Sequence, residues 1–168
     1  MRRPSSFESR EVAALFNPAV IALVLIRSVS AGHDAHTNTK TVAGLPLVYA
    51  PMVAALALYP DLRATLSMTI STQFGTWLER SAAARIFMPE RVRSLVPLVN
   101  EGLLFALAND VLVLQDGILV PGSAGPKKAT SGKSADIVAA QKGAAYLGRW
   151  LPNCGTPAAV CARLGITP

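Results

Sequence analysis

The sequence predicts a mainly α fold, a compact helical domain with a small β-hairpin that is winged-helix-like in its second half. Along most of the chain apolar residues recur at intervals of three or four, which is the spacing of one helix face. The stretch "VLVLQDGILVPG" departs from this spacing, because two apolar runs flank an Asp-Gly pair of the kind that closes hairpins. The 168 residues suffice for a single domain, 1–168, with a buried interior.

The helical half is predicted to span residues 11–88, after a flexible N-terminus at residues 1–10. Its first helix lies in "FNPAVIALVLIRSVSAG", where Asn17 can cap the start and Pro18 suits the first turn. Gly32 is expected to end this helix. Apolar side chains surround its whole circumference, which predicts a helix enclosed on all sides by the rest of the protein.

A polar loop, "HDAHTNTKTVAG", separates this helix from three more. Residues 45–59 are predicted to form a second apolar helix, bent or begun at Pro51, and residues 60–68 a short third one. Ser71 or Thr72 can cap a fourth helix in "FGTWLER". The first half is therefore expected to be helical throughout.

Residues 89–121 carry the pattern of a winged helix-turn-helix. One apolar stripe steps by three and four residues through a helix that Pro97 should bend or split in two. The Asp-Gly hairpin follows this helix and would be the wing. The stripe consists of Val92, Val96, Val99, Leu103 and Leu107.

A flexible basic linker at residues 122–135 leads to C-terminal helices at residues 136–168. Asp136 can cap the first of them, "DIVAAQKGAAYLGRWL", whose apolar residues share one face. That face carries Ile137, Ala140, Ala144, Leu147 and Leu151. Thr156 is expected to begin a last short helix, which Gly165 closes.

The linker contains a "GKS" triplet that resembles part of a phosphate-binding P-loop. A P-loop needs four residues between its first glycine and the Gly-Lys pair, so that backbone N–H groups can wrap the phosphate. Six residues separate Gly125 from Gly132, and Lys127 occupies the place of the first glycine. The spacing therefore favours a solvated connector, and no cofactor is predicted.

Catalytic and metal-binding patterns are also lacking. His33 and His36 are the only histidines, and no third ligand accompanies them, so solvent-facing polar residues are favoured over a metal site. Cys154 and Cys161 lack a CxxC pattern and an identifiable base partner, which favours reduced, buried thiols over a redox or metal role. A small enzyme built on His33, His36 or Lys133 remains a third function class after the two given below.

The charge and hydropathy of the chain bear on its partners and location. A net charge of +6 permits contact with nucleic acid or an acidic protein, but Glu79 and Glu90 interrupt the densest arginine group, so solvated helix faces are favoured. The 51% hydrophobic content predicts apolar surface that a partner covers. No apolar run reaches the roughly 20 residues of a membrane span, and no secretory leader is evident. The predicted location is cytoplasmic, with no membrane contact.

Three residues are candidates for partner binding: Trp77, Arg149 and Trp150. Indole and guanidinium groups often anchor interfaces, and "LGRWL" places two of them side by side. Core packing is the alternative for both tryptophans, and the sequence does not decide between the two roles.

Several segments together resemble the middle component of three-component ABC systems, the small subunit that accompanies an SMC-like ATPase in bacterial conflict loci of the Lamassu kind. They are "NPAVIALVLIRSV", "LPLVYAPMVAALAL", "TWLER", "PERVRSLVPLVNEGLLFALANDVLVLQDGILVPG" and "LGRWLPNCGTPAAVCARLGITP", and the likeness covers residues 11–168. The lysine-rich connector at 123–135 departs from it and is interpreted as a local insertion.

The resemblance implies a non-enzymatic adaptor subunit of an anti-phage or anti-plasmid defence complex. Such a subunit would link an SMC-like ABC ATPase, which senses DNA, to an effector that is often a nuclease, and DNA would be reached only through the hetero-oligomer. The alternative is a DNA-binding winged-helix regulator. Against it, residues 98–109 contain no arginine or lysine for reading base edges.

Overall fold

The computed structural model describes residues 16–36, 43–125 and 134–167. These ranges contain seven α-helices and a three-stranded antiparallel sheet. The mainly α fold class is confirmed. The helices are α1 (Pro18–His36), α2 (Ala50–Leu58), α3 (Pro60–Arg63), α4 (Phe74–Arg80), α5 (Ala82–Ala108), α6 (Ala135–Trp150) and α7 (Pro157–Arg163). The strands are β1 (Leu45–Pro46), β2 (Leu112–Gln115) and β3 (Ile118–Pro121).

The core is built around α1 and α2, the two most apolar helices. Every residue of α2 except Pro51 is buried, and α1 is buried continuously from Val24 to Val29. Helix α1 packs on α6 and α5, and α2 packs on the same two helices. The prediction that the first helix is enclosed on all sides holds for Val24–Val29, whereas Ala19, Asp34 and Ala35 near the helix ends are exposed. This enclosure buries apolar surface on every side of both helices, the largest favourable contribution to folding.

Helix α1 does not end at Gly32, as the sequence predicted, but continues to His36. The reason is a close crossing with α6, where Gly32 faces Gly148. A Cβ atom at Gly32 would lie 2.6 Å from the Gly148 carbonyl oxygen, and one at Gly148 would lie 1.9 Å from the Ser28 carbonyl oxygen. Gly32 therefore allows two backbones to touch, and its role is packing rather than helix termination.

The predicted hairpin is confirmed. Asp116 and Gly117 have φ values of 49° and 79°, as the two central residues of a type I′ turn require. The second apolar helix begins at Ala50 with Pro51 in its first turn, which is one of the two predicted outcomes. Residues 45–49, the start of the predicted range, instead form β1 and a 3₁₀ turn. Strand β1 pairs with β3 through Leu45 and Leu119, giving the order β1-β3-β2. Periodicity alone cannot separate a short buried strand from a helix, which explains the error.

Helix α5 is one continuous helix of 27 residues that contains both Pro89 and Pro97. Each proline lacks the N–H that would donate a hydrogen bond to the carbonyl four residues earlier. Those carbonyls belong to Arg85 and Arg93, which are exposed and can be hydrated. The predicted stripe is confirmed except at Val96, which is 37% exposed. A helix followed by a hairpin is compatible with the winged-helix prediction, which stays a prediction.

The helix ends show which local signals decided the structure. The Asn17 side chain caps α1 by accepting from the Ala19 N–H at 2.9 Å, and Thr156 caps α7 by accepting from the Ala159 N–H at 3.3 Å. Asp136 does not cap α6, because its carboxylate instead pairs with Arg63 at 2.9 Å. Helix α4 begins after Gln73 without a side-chain cap from Ser71 or Thr72. The third predicted helix shortens to α3.

Among the described residues, α1 is the one helix whose length and hydropathy would allow it to cross a membrane, over Pro18–Ala35. Half of that window is buried inside the protein, and Arg27 lies in its middle with 8% exposure. These are the properties of a core helix, consistent with a soluble protein. The predicted N-terminus at 1–10 and most of the predicted linker at 122–135 lie outside the described residues.

Candidate functional site

Four aromatic residues form a cluster that joins α6 to α4. Trp150 stacks on Tyr146 with ring centroids 5.5 Å apart, and it meets Trp77 edge-on at 5.3 Å. Phe74 lies 6.0 Å from Trp150 on the α4 side. Such pairs add to the stability that burial of their area already provides. The cluster fixes the C-terminal half of α6, which carries Arg149.

Both tryptophans predicted to bind a partner lie in this cluster. Trp77 is 2% exposed and Trp150 is fully buried. Their indole N–H groups donate to backbone carbonyls, that of Trp77 to Thr65 at 3.0 Å and that of Trp150 to Thr72 at 2.7 Å. A role of the two indoles in partner binding stays a prediction, and in this conformation they can act only by positioning other residues. Arg149 is half-buried and lines a surface cleft.

A second feature, which the sequence did not reveal, is an exposed apolar face on α5. We call it the α5 face; it consists of Ile86, Phe87, Leu104 and Phe105, which are 67%, 41%, 67% and 53% exposed. Ile86 and Leu104 are 18 residues apart, about five helical turns, so they share one side of the helix roughly 27 Å apart. Phe87 and Phe105 have the same spacing. The signal in the sequence was that these residues do not fit the buried stripe.

The N-terminal end of the α5 face is held by Arg91. Its guanidinium lies 5.0 Å from the centre of the Phe87 ring and 4.3 Å from that of Tyr59, within the range of cation–π attraction. It also donates to the Asp61 carboxylate at 2.6 Å, and this hydrogen bond lowers the pKa of Asp61. Arg91, itself held by Asp61, thus supports the Phe87 ring while part of that ring stays exposed to solvent.

A third feature is a cleft of about 810 Å³ between α1 and α6. Arg27 and His33 line it from α1, and Gln141, Lys142 and Arg149 line it from α6. Arg27 Nε donates to Gln141 Oε1 at 3.0 Å, and both side chains are buried. We call this the basic cleft, and it contains no residue of α5.

The residues considered as catalytic or metal-binding candidates are His33, His36 and Lys133. His33 Nδ1 lies 2.8 Å from the Ala43 carbonyl oxygen, so this nitrogen carries the proton. In residues 16–36, 43–125 and 134–167 no three His, Cys, Asp or Glu side chains are grouped for a metal ion. The side chain of His36 and all of Lys133 lie outside the described residues.

The two cysteine thiols are expected to be unreactive in the folded protein. Burial raises the pKa of Cys154 to about 12 and also raises the pKa of Cys161. At pH 8 the thiolate fraction of Cys154 is then roughly one in ten thousand. A disulfide-exchange reagent at pH 8 should modify neither thiol before unfolding and both after it. One thiol that reacts fully within minutes in the folded protein would contradict this expectation.

The same shift has a consequence for stability. The folded chain holds the Cys154 thiol neutral, while the unfolded chain ionises it near pH 8.5. The contribution of the neutral thiol to the free energy of unfolding is therefore complete below about pH 8.5. It is lost progressively as the pH rises toward the folded value of about 12.

A comparison with protein families identifies the chain. The family described as ABC-three component (ABC-3C) system Middle Component 3 matches residues 5–168. The chain belongs to this family. The predicted resemblance to a middle component is thereby confirmed, and a middle component implies partner proteins in the same system. Comparisons with curated proteins and with solved structures give no significant match.

Proposed function

We propose that this middle component is a non-enzymatic adaptor in an anti-phage or anti-plasmid defence complex of the Lamassu kind. It would link an SMC-like ABC ATPase that senses DNA to an effector, often a nuclease, and hold or release that effector in the cytoplasm. Membership of a three-component family supports a role among partners. The observation that carries the proposal is the α5 face, since a docking subunit needs apolar surface that its own fold leaves uncovered.

The α5 face has the composition of a protein-binding surface. Its four side chains are exposed by 41–67%, and full burial of a side chain of this size contributes about 1.5–3 kcal/mol. Exposed apolar surface of this kind, rimmed by polar groups, commonly marks a protein interaction site. The exposed polar residues between its two ends are Glu90, Arg93, Ser94, Asn100 and Glu101. A partner lying along α5 could therefore bury both ends and pair with the charges between them.

The partner-binding hypothesis for Trp77, Arg149 and Trp150 fits this proposal if the tryptophans and the arginine have different roles. The indoles are buried and would act by holding α6 in place, whereas Arg149 has surface that a partner could reach. Of these three residues, only Arg149 is therefore proposed to contact a partner directly.

The test of the α5 face is a double substitution, Leu104→Ser with Phe105→Ser. Since both side chains are more than half exposed, the stability of the chain should change little, by about 0.5 kcal/mol for each. Co-expressed with the two neighbouring components, the variant should recover at least tenfold less of one partner, equivalent to about 1.4 kcal/mol of binding free energy. Co-purification on a tagged middle component measures this.

The matched control is Ile70→Ser, which removes an apolar side chain that is 44% exposed and lies outside α5. It should recover both partners at the level of the unaltered protein. Full recovery of both partners by the folded double variant would remove the α5 face from the proposal.

A DNA-binding winged-helix regulator is the alternative, favoured by the net charge of +6 and by the order of α5 and the hairpin. The exposed C-terminal part of α5 presents Leu104 and Phe105 rather than basic side chains, which does not suit a helix that reads a groove. Binding of duplex DNA by the isolated chain, weakening steeply between 50 and 200 mM salt, would favour this alternative.

A further inference from the structure

We infer that the exposed side of α5 binds one long helix of another component, in a coiled-coil-like contact whose register is set by charge. The inference rests on the proposed function and deepens it, because it names the structural class and the charge pattern of the segment that the α5 face binds. It starts from a row of six exposed residues along α5, which we call the α5 seam. The α5 seam consists of Ile86, Glu90, Arg93, Pro97, Asn100 and Leu104.

The spacing of the α5 seam is that of a coiled-coil contact row. Its members follow one another at alternating steps of four and three residues, the pattern by which one helix keeps a row of side chains against another. Helices that cross at about +20° stay in contact along such a row. Because Ile86 and Leu104 are roughly 27 Å apart along the axis, a helix that contacts both ends needs at least about five turns.

The backbone of α5 favours a helix over an extended segment as the bound structure. A helix satisfies most of its own N–H and C=O groups, whereas an extended segment must find partners for them. The two prolines of α5 leave the carbonyls of Arg85 and Arg93 without a helical N–H donor. Two carbonyls are too few for an extended segment of the same length, which would have about eight residues. Such a segment would bury unpaired polar groups against the apolar ends, which costs free energy.

The α5 seam is apolar at its ends and charged between them. Ile86 and Leu104 are each 67% exposed and supply the apolar contact. Glu90 and Arg93 lie between them, and neither forms a salt bridge with another side chain in the described parts of the chain. The bound helix is therefore expected to place a basic residue opposite Glu90 and an acidic residue opposite Arg93. Charged residues in a contact row reduce affinity but select the register and the partner.

The same charges disfavour a second copy of this chain as the bound protein. A parallel pairing of two α5 helices would set Glu90 against Glu90 and Arg93 against Arg93. An antiparallel pairing would set Ile86 of one copy against Leu104 of the other. In that register Glu90 of each copy lies beside Glu101 of the other. Both arrangements bring like charges together, which a helix of a different protein can avoid.

The experiment measures, by fluorescence anisotropy, the binding of four fluorescein-labelled helical peptides to the full chain. All four have one composition, are about six turns long and carry leucines spaced to meet Ile86 and Leu104. The matched peptides place lysine opposite Glu90 and glutamate opposite Arg93, and the exchanged peptides swap these two residues. Each kind is made for the parallel and for the antiparallel direction, so that net charge is the same in every comparison.

The chain variant is Glu90→Lys with Arg93→Glu, which keeps the net charge at +6. Both side chains are exposed, so the fold should be unaffected. The matched control is Glu79→Lys with Arg80→Glu, the same exchange at two exposed residues of α4.

One matched peptide should bind at least about fivefold more tightly than its exchanged counterpart. The exchange on α5 should reverse this preference, and the exchange on α4 should leave it unchanged. Equal binding of matched and exchanged peptides in both directions, or binding of none of the four, would overturn the inference. An α5 exchange that keeps the original preference would also overturn it. So would a dimer of the isolated chain that Leu104→Ser with Phe105→Ser dissociates, because the α5 seam would then belong to a second copy.

Failure of the inference is separable from failure of the proposed function. The peptide titration uses the isolated chain, whereas the adaptor role is measured by co-purification of the other components. A chain that shows no peptide preference but still recovers both components removes only the helix-binding seam. A chain that prefers a matched peptide but recovers neither component removes the adaptor role.

Discussion

Gly148→Ala should destabilise the protein more than any other single methyl addition at a helix of its core. The new Cβ would lie 1.9 Å from the Ser28 carbonyl oxygen, whereas ordinary contacts begin at 3.4 Å, so α1 and α6 would have to separate by about 1.5 Å. The atom in the way belongs to a helix backbone and cannot rotate aside. We expect a loss of about 3 kcal/mol or more in the free energy of unfolding.

For a domain of this size that loss corresponds to a fall of roughly 6–12 °C in Tm. It is a large share of the 5–15 kcal/mol that stabilises a typical domain. Urea unfolding followed by circular dichroism measures the change.

Gly143→Ala on the same helix is the matched control. Its Cβ would meet the Arg63 and Leu66 side chains at 3.6 Å, an ordinary van der Waals distance, and alanine favours a helix over glycine by about 0.5–1 kcal/mol. This variant should be as stable as the unaltered protein or slightly more stable. If Gly148→Ala unfolds at the same urea concentration as Gly143→Ala, the close crossing of α1 and α6 is wrong.

The outcome at Gly32 shows where sequence reasoning stops. A glycine near the end of an apolar helical run is a common helix terminator, and nothing local distinguishes that case from a glycine at a helix crossing. The deciding contact is Gly148, far along the chain, and only the fold brings the two together. Strand β1 was missed for the same reason, since its pairing with β3 depends on a distant residue, Leu119.

Three features decided within a few residues were predicted correctly, whereas the caps expected from Asp136 and from Ser71 or Thr72 do not form. The Asp116–Gly117 turn, the Asn17 cap and the Thr156 cap each depend on neighbours in sequence, and all three are confirmed. The α5 face and the basic cleft depend on which side of each helix the remaining helices cover. Periodicity gave the apolar stripe of α5 but not the exposure of Leu104 and Phe105, because that requires knowing where the neighbouring helices end.

Trp150→Ala should cost about 3–5 kcal/mol, the usual loss when a fully buried tryptophan is removed from a core. The substitution takes away the stacking with Tyr146, the edge contact with Trp77 and the N–H donor to Thr72. Because the contacts with Trp77 and Thr72 join α6 to the segment around α4, we expect the docking of that segment to loosen. Chemical denaturation with tryptophan fluorescence from Trp77 reports the change.

Trp150→Phe separates the ring from its hydrogen bond. Phenylalanine keeps much of the aromatic packing but leaves the Thr72 carbonyl without its indole donor, and this carbonyl belongs to a half-buried residue that water can partly reach. We expect a loss of about 1–2 kcal/mol, less than for alanine. A loss below 1 kcal/mol for Trp150→Ala would contradict the core role of this residue.

Trp150→Phe and Arg149→Glu together decide how Trp150 contributes to partner binding. If it acts by positioning Arg149, folded Trp150→Phe should recover the partner components nearly as well as the unaltered protein, and Arg149→Glu should recover less. If Trp150→Phe loses a partner while its unfolding free energy changes by less than about 1 kcal/mol, the indole itself reaches the partner. That result would require the cluster to open on binding, because the folded chain leaves Trp150 with no exposed surface.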